Sequence, residues 1–180
     1  MGRTFAFLRA LNVGGHTVTM VRLKELFEEL GLQDVETFIA SGNVVFKGGT
    51  GKEAALQGEI EAHLREALGY EVATFLRTER ELGALVKGCP FTEAEVAAAQ
   101  ALNVALLQAP LRREAEARLQ ALGTELDAFR TSGREVWWLC QVKQSNSTFS
   151  NTVLEKATQV KATFLGFNTL QRLAAKYLKA

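Results

Sequence analysis

A chain of 180 residues, 47% hydrophobic and 23% charged, has the balance of an ordinary globular protein and excludes a disordered one. Two cysteines, Cys89 and Cys140, are too few and too far apart for a disulfide framework and suit a reducing compartment. The net charge of +1 conceals an asymmetry: residues 1–111 hold 10 basic and 14 acidic side chains, residues 112–180 hold 11 and 6.

The first residues, Met1-Gly2-Arg3-Thr4-Phe5, lack the zones of a signal peptide. Position 6 is Ala, which breaks the myristoylation motif. Thr4 to Leu11 is a short apolar run that ends at Asn-Val-Gly-Gly and predicts a buried strand. Met20, Leu23, Leu26, Phe27 and Leu30 recur at helical spacing, with Thr19 as cap and Gly31 as stop. Val35 to Ala40 and Val44 to Lys47 predict two strands joined at Ser41-Gly42-Asn43. Leu56, Ile60, Leu64 and Leu68 step along a second helix that stops at Gly69, and Glu71 to Arg77 predicts a closing strand. The order is β-α-β-β-α-β, the ferredoxin-like plait.

The second half repeats the order. A helical connector over Glu79 to Lys87 and a Thr92-x-x-Glu95 capping box lead into a strand over Leu102 to Leu107. Leu111, Ala115, Leu119 and Leu122 predict a helix that starts at Pro110 and ends at Gly123. Thr124 to Arg130 and Arg134 to Cys140 form a hairpin around Ser132-Gly133. A helix near Ser150 to Lys156, a strand near Ala162 to Leu165 and a terminal helix from about Asn168 follow. The expected fold is therefore α+β: tandem ferredoxin-like modules with antiparallel sheets and a C-terminal helix. The expected domains are residues 1–78, a helical connector over 79–100, and residues 101–180. Trp137 and Trp138 are adjacent on a strand and must point to opposite faces, one into a core and one where the modules meet.

This topology carries two distant segments to one edge. The first two strands run parallel with the third between them, so Arg9 to Gly15 and Ser41-Gly42-Asn43 become neighbours. The start of the first helix arrives there with its N–H groups and positive dipole end. Arg9, Asn12, Gly14, Gly15, Ser41, Gly42 and Asn43 are thus the candidate ligand-binding residues, for an anion or a carboxylate. The same residues also have plain structural uses: glycines that turn the chain, and an asparagine that satisfies loop backbone. The Gly-Gly loop matches neither G-x-G-x-x-G nor a Walker loop.

Arg9-Ala10-Leu11-Asn12-Val13-Gly14-Gly15 followed by Ser41-Gly42-Asn43-Val44-Val45-Phe46 resembles the paired signature of the bacterial family called domain of unknown function 1697. The resemblance continues through Leu76-Arg77-Thr78, Pro90-Phe91, Asn103 to Leu107 and Asn168-Thr169. It implies the tandem ferredoxin-like fold and no activity. Three departures stand out. Ala10 replaces the family's usual glycine, Ser147-Thr148-Phe149 lacks its lysine, and Leu165-Gly166-Phe167-Asn168-Thr169 lacks its arginine and tryptophan.

Other chemistry has little support. His16 and His63 are the only histidines, no His or Cys spacing suits zinc, and no metal or cofactor is expected. Cys89 or Ser41 as a nucleophile lacks a His-plus-carboxylate pattern, and His16 as a base lies in a surface loop. Three functions remain open, and whether the protein is an enzyme stays open with them. The first is small-molecule or anion binding at the Arg9 edge. The second is nucleic-acid binding through the basic C-terminal region, where Lys143, Lys156, Lys161, Arg172, Lys176 and Lys179 face only Glu155 after position 136. The third is a protein-interaction module. No apolar run approaches the roughly 18 residues that span a bilayer, so a cytoplasmic protein without a membrane partner is expected.

Overall fold

The computed structural model describes residues 2–12, 14–39, 42–49 and 51–179. Strands β1 (Thr4–Leu8), β2 (Gln33–Phe38), β3 (Asn43–Lys47) and β4 (Thr74–Thr78) alternate with helices α1 (Met20–Glu29) and α2 (Glu53–Leu68). Helices α3 (Glu79–Lys87) and α4 (Glu93–Ala98) then lead to a second set. It comprises β5 (Ala101–Leu107), α5 (Arg113–Gln120), β6 (Asp127–Ser132), β7 (Glu135–Cys140), α6 (Asn151–Thr158), β8 (Ala162–Gly166) and α7 (Phe167–Tyr177). The two sheets have the orders β2-β3-β1-β4 and β6-β7-β5-β8, and every pairing is antiparallel. The fold is α+β, with the β-α-β-β-α-β path traced twice. Residues up to Leu82 form one compact unit and residues from Gly83 a second.

In the first unit the strand period of two sends Ala6, Leu8, Val44, Phe46 and Leu76 toward α1 and α2, where Leu23, Leu26, Phe27, Ile60 and Leu64 meet them. These side chains are 0–4% exposed, so burial of apolar surface holds the helices on the sheet. Phe5, Phe7, Val45 and Phe75, on the alternate strand positions, are buried as well. The strand positions buried on both sides explain why β1 reads as a continuous apolar run instead of an alternating one.

The second unit packs Ala105, Leu107, Val136, Trp138 and Cys140 against Leu119 and Leu154. Trp138 donates from Nε1 to Asp127 Oδ1 at 2.7 Å, which satisfies a buried indole N–H. Its neighbour Trp137, on the opposite face, meets the ring of Phe167 edge-on at 5.2 Å. Leu170, Leu173, Ala174 and Tyr177 give α7 its buried face.

Several boundaries differ from the sequence-based expectation. β1 stops at Leu8, and the chain turns away two residues later through the left-handed backbone of Ala10 (φ 56°). Asn43 belongs to β3 and pairs with Phe7 and Phe38, so the connecting turn is shorter than expected. α5 begins at Arg113, three residues after Pro110, with Arg112 extended at its N-cap (ψ 155°). β6 starts at Asp127, since Thr124 Oγ1 accepts from Leu126 N and Asp127 N and turns the preceding segment.

Candidate functional site

The end of β1 and the β2–β3 turn meet at one edge of the first unit. Leu8 N donates to Gly42 O at 3.0 Å, just beyond the Phe7–Asn43 pair. Gly42 has φ 84°, and a Cβ there would lie 3.3 Å from Leu8 Cβ and 3.4 Å from Leu11 Cδ2. Conformation and close approach both call for glycine. On the other side, Arg9 N donates to Ala73 O at 2.9 Å and ties the same loop to the segment before β4.

Within this edge each candidate residue has a defined place. Arg9 is half-buried, with its Nε enclosed by protein. Asn12 Oδ1 accepts from Val18 N at 2.7 Å and closes the loop that leads into α1. Gly14 and Gly15 are exposed at φ 64° and 84°, and a Cβ on Gly15 would meet nothing within 4 Å. Asn43 is 3% exposed, and its Nδ2 donates to Phe38 O at 3.2 Å across the hairpin. These two bonds brace the loops that the asparagines belong to. Ser41 lies outside the described residues, as does Val13. The start of α1 arrives at the far end of the loop, where Thr19 Oγ1 accepts from Arg22 N at 3.1 Å and caps the first turn.

One participant was missed from sequence. Tyr70 donates its hydroxyl to Leu11 O at 2.7 Å, and its ring stacks on His16 at 3.9 Å with 22° between planes. Burial pushes the phenol above its ordinary value, so it stays a donor into alkali where an exposed tyrosine ionises. The signal was present in the topology. α2 runs back toward the end of β1, and Gly69 ends it in a left-handed turn (φ 81°) that delivers Tyr70 to this edge.

The profile of the family described as protein of unknown function, DUF1697, matches residues 1–137. The chain belongs to that family. No curated protein matches the chain. The solved structure of a conserved bacterial protein from Streptococcus pneumoniae is similar over 99% of this chain and 99% of that one, with a TM-score of 0.78 at 19% identity. At that identity the likeness speaks for the fold alone.

Several motif residues of this DUF1697 protein have structural duties. Arg77 is 1% exposed and donates from Nη1 to Leu76 O at 2.8 Å. Ser147 donates to Asp127 Oδ2 at 2.8 Å while accepting from Phe149 N, which joins the Ser147-Thr148-Phe149 stretch to the Trp138–Asp127 bond. Phe167, in the Leu165-Gly166-Phe167-Asn168-Thr169 stretch, supports Trp137. Cys140 is buried, donates to Val142 O, and has its thiol pushed up by burial, which makes it a core residue. Cys89 Sγ donates to Phe91 O at 3.6 Å. Among the described residues no group of three His, Cys, Asp or Glu side chains is placed to hold a metal ion. No helix of the described residues is long and apolar enough to cross a membrane. The basic C-terminal residues come from separate places: Lys156 from α6, Lys161 before β8, Arg172 and Lys176 from α7.

Proposed function

We propose that this protein binds a small anionic ligand at the edge where the Arg9–Gly15 loop meets Gly42 and Asn43 in its first ferredoxin-like module. Arg9 supplies the charge, and the exposed Gly14-Gly15 stretch supplies backbone that a ligand approaches without a side chain in the way. Asn12 and Tyr70 hold the loop in place, and Asn43 holds the hairpin. The observation that carries this reading is the Leu8–Gly42 backbone bond, which joins two glycine-bearing segments thirty-odd residues apart. The two unpaired thiols, Cys89 and Cys140, agree with a cytoplasmic setting.

The test is an amide NMR titration with sulfate and with malonate, on the native protein and on Arg9→Ala. Saturable shifts over residues 11–16 are expected, weakened at least about tenfold in the variant, because a charge-assisted hydrogen bond contributes about 1.5–3 kcal/mol. The thermal midpoint of the variant should stay close to native. A loss of stability as large as the loss of binding would make Arg9 a structural residue.

A further inference from the structure

The C-terminal module repeats the path of the first, so the end of β5 corresponds to the end of β1, and the end of α6 to the end of α2. At this point the two modules differ. In the first, Tyr70 follows left-handed Gly69 and bonds across to the loop after β1. In the second, Gln159 takes the left-handed position (φ 60°), and Val160 stands where the tyrosine would be. Between the β5–α5 connection and the end of α6 lies a cleft of about 670 Å³. That volume lies within the range of about 300–1,000 Å³ usual for small-molecule sites.

The lining of this cleft is cationic. Arg112 enters from the N-cap of α5, Arg118 from within that helix, and Lys161 from the segment before β8, against one carboxylate, Glu114. Three cations and one anion leave the lining at +2. Arg118 donates from Nε to Ala157 O at 2.6 Å, which fixes its guanidinium against the end of α6 and leaves the terminal nitrogens as donors. Pro110, Ala115 and Val160 add an apolar surface to the same cleft.

We propose that this cleft binds a small organic phosphate monoester, its phosphoryl group among Arg112, Arg118 and Lys161 and its carbon body on Pro110, Ala115 and Val160. A phosphate monoester carries about −1.5 to −2 at pH 7, which matches the excess charge of the lining. Arginine forks suit its oxygens, and the apolar surface distinguishes an ester from the bare ion. The site is separate from the Arg9 edge and does not depend on it.

The test is an amide NMR titration with phenyl phosphate at low salt, with benzyl alcohol and inorganic phosphate as comparisons. Saturable shifts are expected over residues 108–115 and 159–161, with phenyl phosphate tighter than inorganic phosphate and benzyl alcohol inert. Arg112→Ala and Lys161→Ala should each weaken binding at least about fivefold with an unchanged thermal midpoint, as befits two exposed side chains, and Arg112→Lys should recover part of it. Arg9→Ala should leave these shifts intact. Non-saturating shifts, binding of inorganic phosphate as tight as the ester, indifference to Arg112→Ala, or loss in Arg9→Ala would each overturn the proposal.

Discussion

Ala10 sits at φ 56°, where a Cβ crowds the following carbonyl and glycine is at ease. Glycine is thus the conformationally natural residue at this position, and this chain keeps alanine at a cost. Ala10→Gly should raise stability by about 0.5–1 kcal/mol after the extra backbone entropy of glycine is offset, read as a higher denaturant midpoint at unchanged slope. Tyr70→Phe tests the missed residue. It removes the bond to Leu11 O but keeps the ring, and it should cost about 0.5–1.5 kcal/mol and speed amide exchange in the 11–18 loop. The pH dependence follows from the raised phenol. Stability from the neutral hydroxyl is fully present below the ordinary tyrosine value and is lost as pH rises through the folded value. Native protein should therefore lose stability in strong alkali faster than Tyr70→Phe does.

At the scale of elements, the α4 cap makes the sharpest prediction. Thr92 Oγ1 accepts from Glu95 N, and Thr92 N donates back to Glu95 Oε2 at 2.7 Å. Arg130 closes the same carboxylate at 3.0 Å, stacks over Phe91 and donates to Pro90 O. The Thr92 backbone bond first, and Arg130 second, hold the Glu95 carboxyl below its ordinary value. Its contribution is therefore present above the unfolded carboxylate value and fades as pH falls through the lower folded one. Glu95→Gln keeps much of the box but not the charge, so its thermal midpoint should vary less than native between neutral pH and pH 3. Thr92→Ala should cost about 1 kcal/mol at neutral pH.

The same elements show what sequence makes legible. Thr19, Gly31, Gly69 and the Thr92–Glu95 box fixed helix ends well, because each cap is a local hydrogen-bonding or left-handed requirement written in one residue. Strand ends were less legible. β1 and β2 are followed by left-handed Ala10 and Ile39, residues whose side chains give no sign of that conformation. Asn43 reads as a turn residue yet is a buried member of β3, since its amide finds the Phe38 carbonyl. Pro110 reads as a helix start, but extended Arg112 stands between it and α5.

For the molecule as a whole, element order and antiparallel pairing were legible because two β-α-β-β-α-β paths leave little choice of sheet order. That order also placed the Arg9 loop beside Gly42. Tyr70 was missed although the topology carries its signal, and the cationic cleft was not legible, because it depends on which side chains the end of α6 brings beside the β5–α5 connection. The repeated path supplied the frame, and the two helix ends, Gly69-Tyr70 and Gln159-Val160, made the edges different. Anion binding at the first edge is tested most directly by a crystal structure grown in selenate with data at the selenium edge. An anomalous peak is expected at hydrogen-bonding distance from the Arg9 guanidinium, beside the Gly14-Gly15 backbone. A guanidinium fully engaged by protein groups, with selenate bound elsewhere or nowhere, would contradict it.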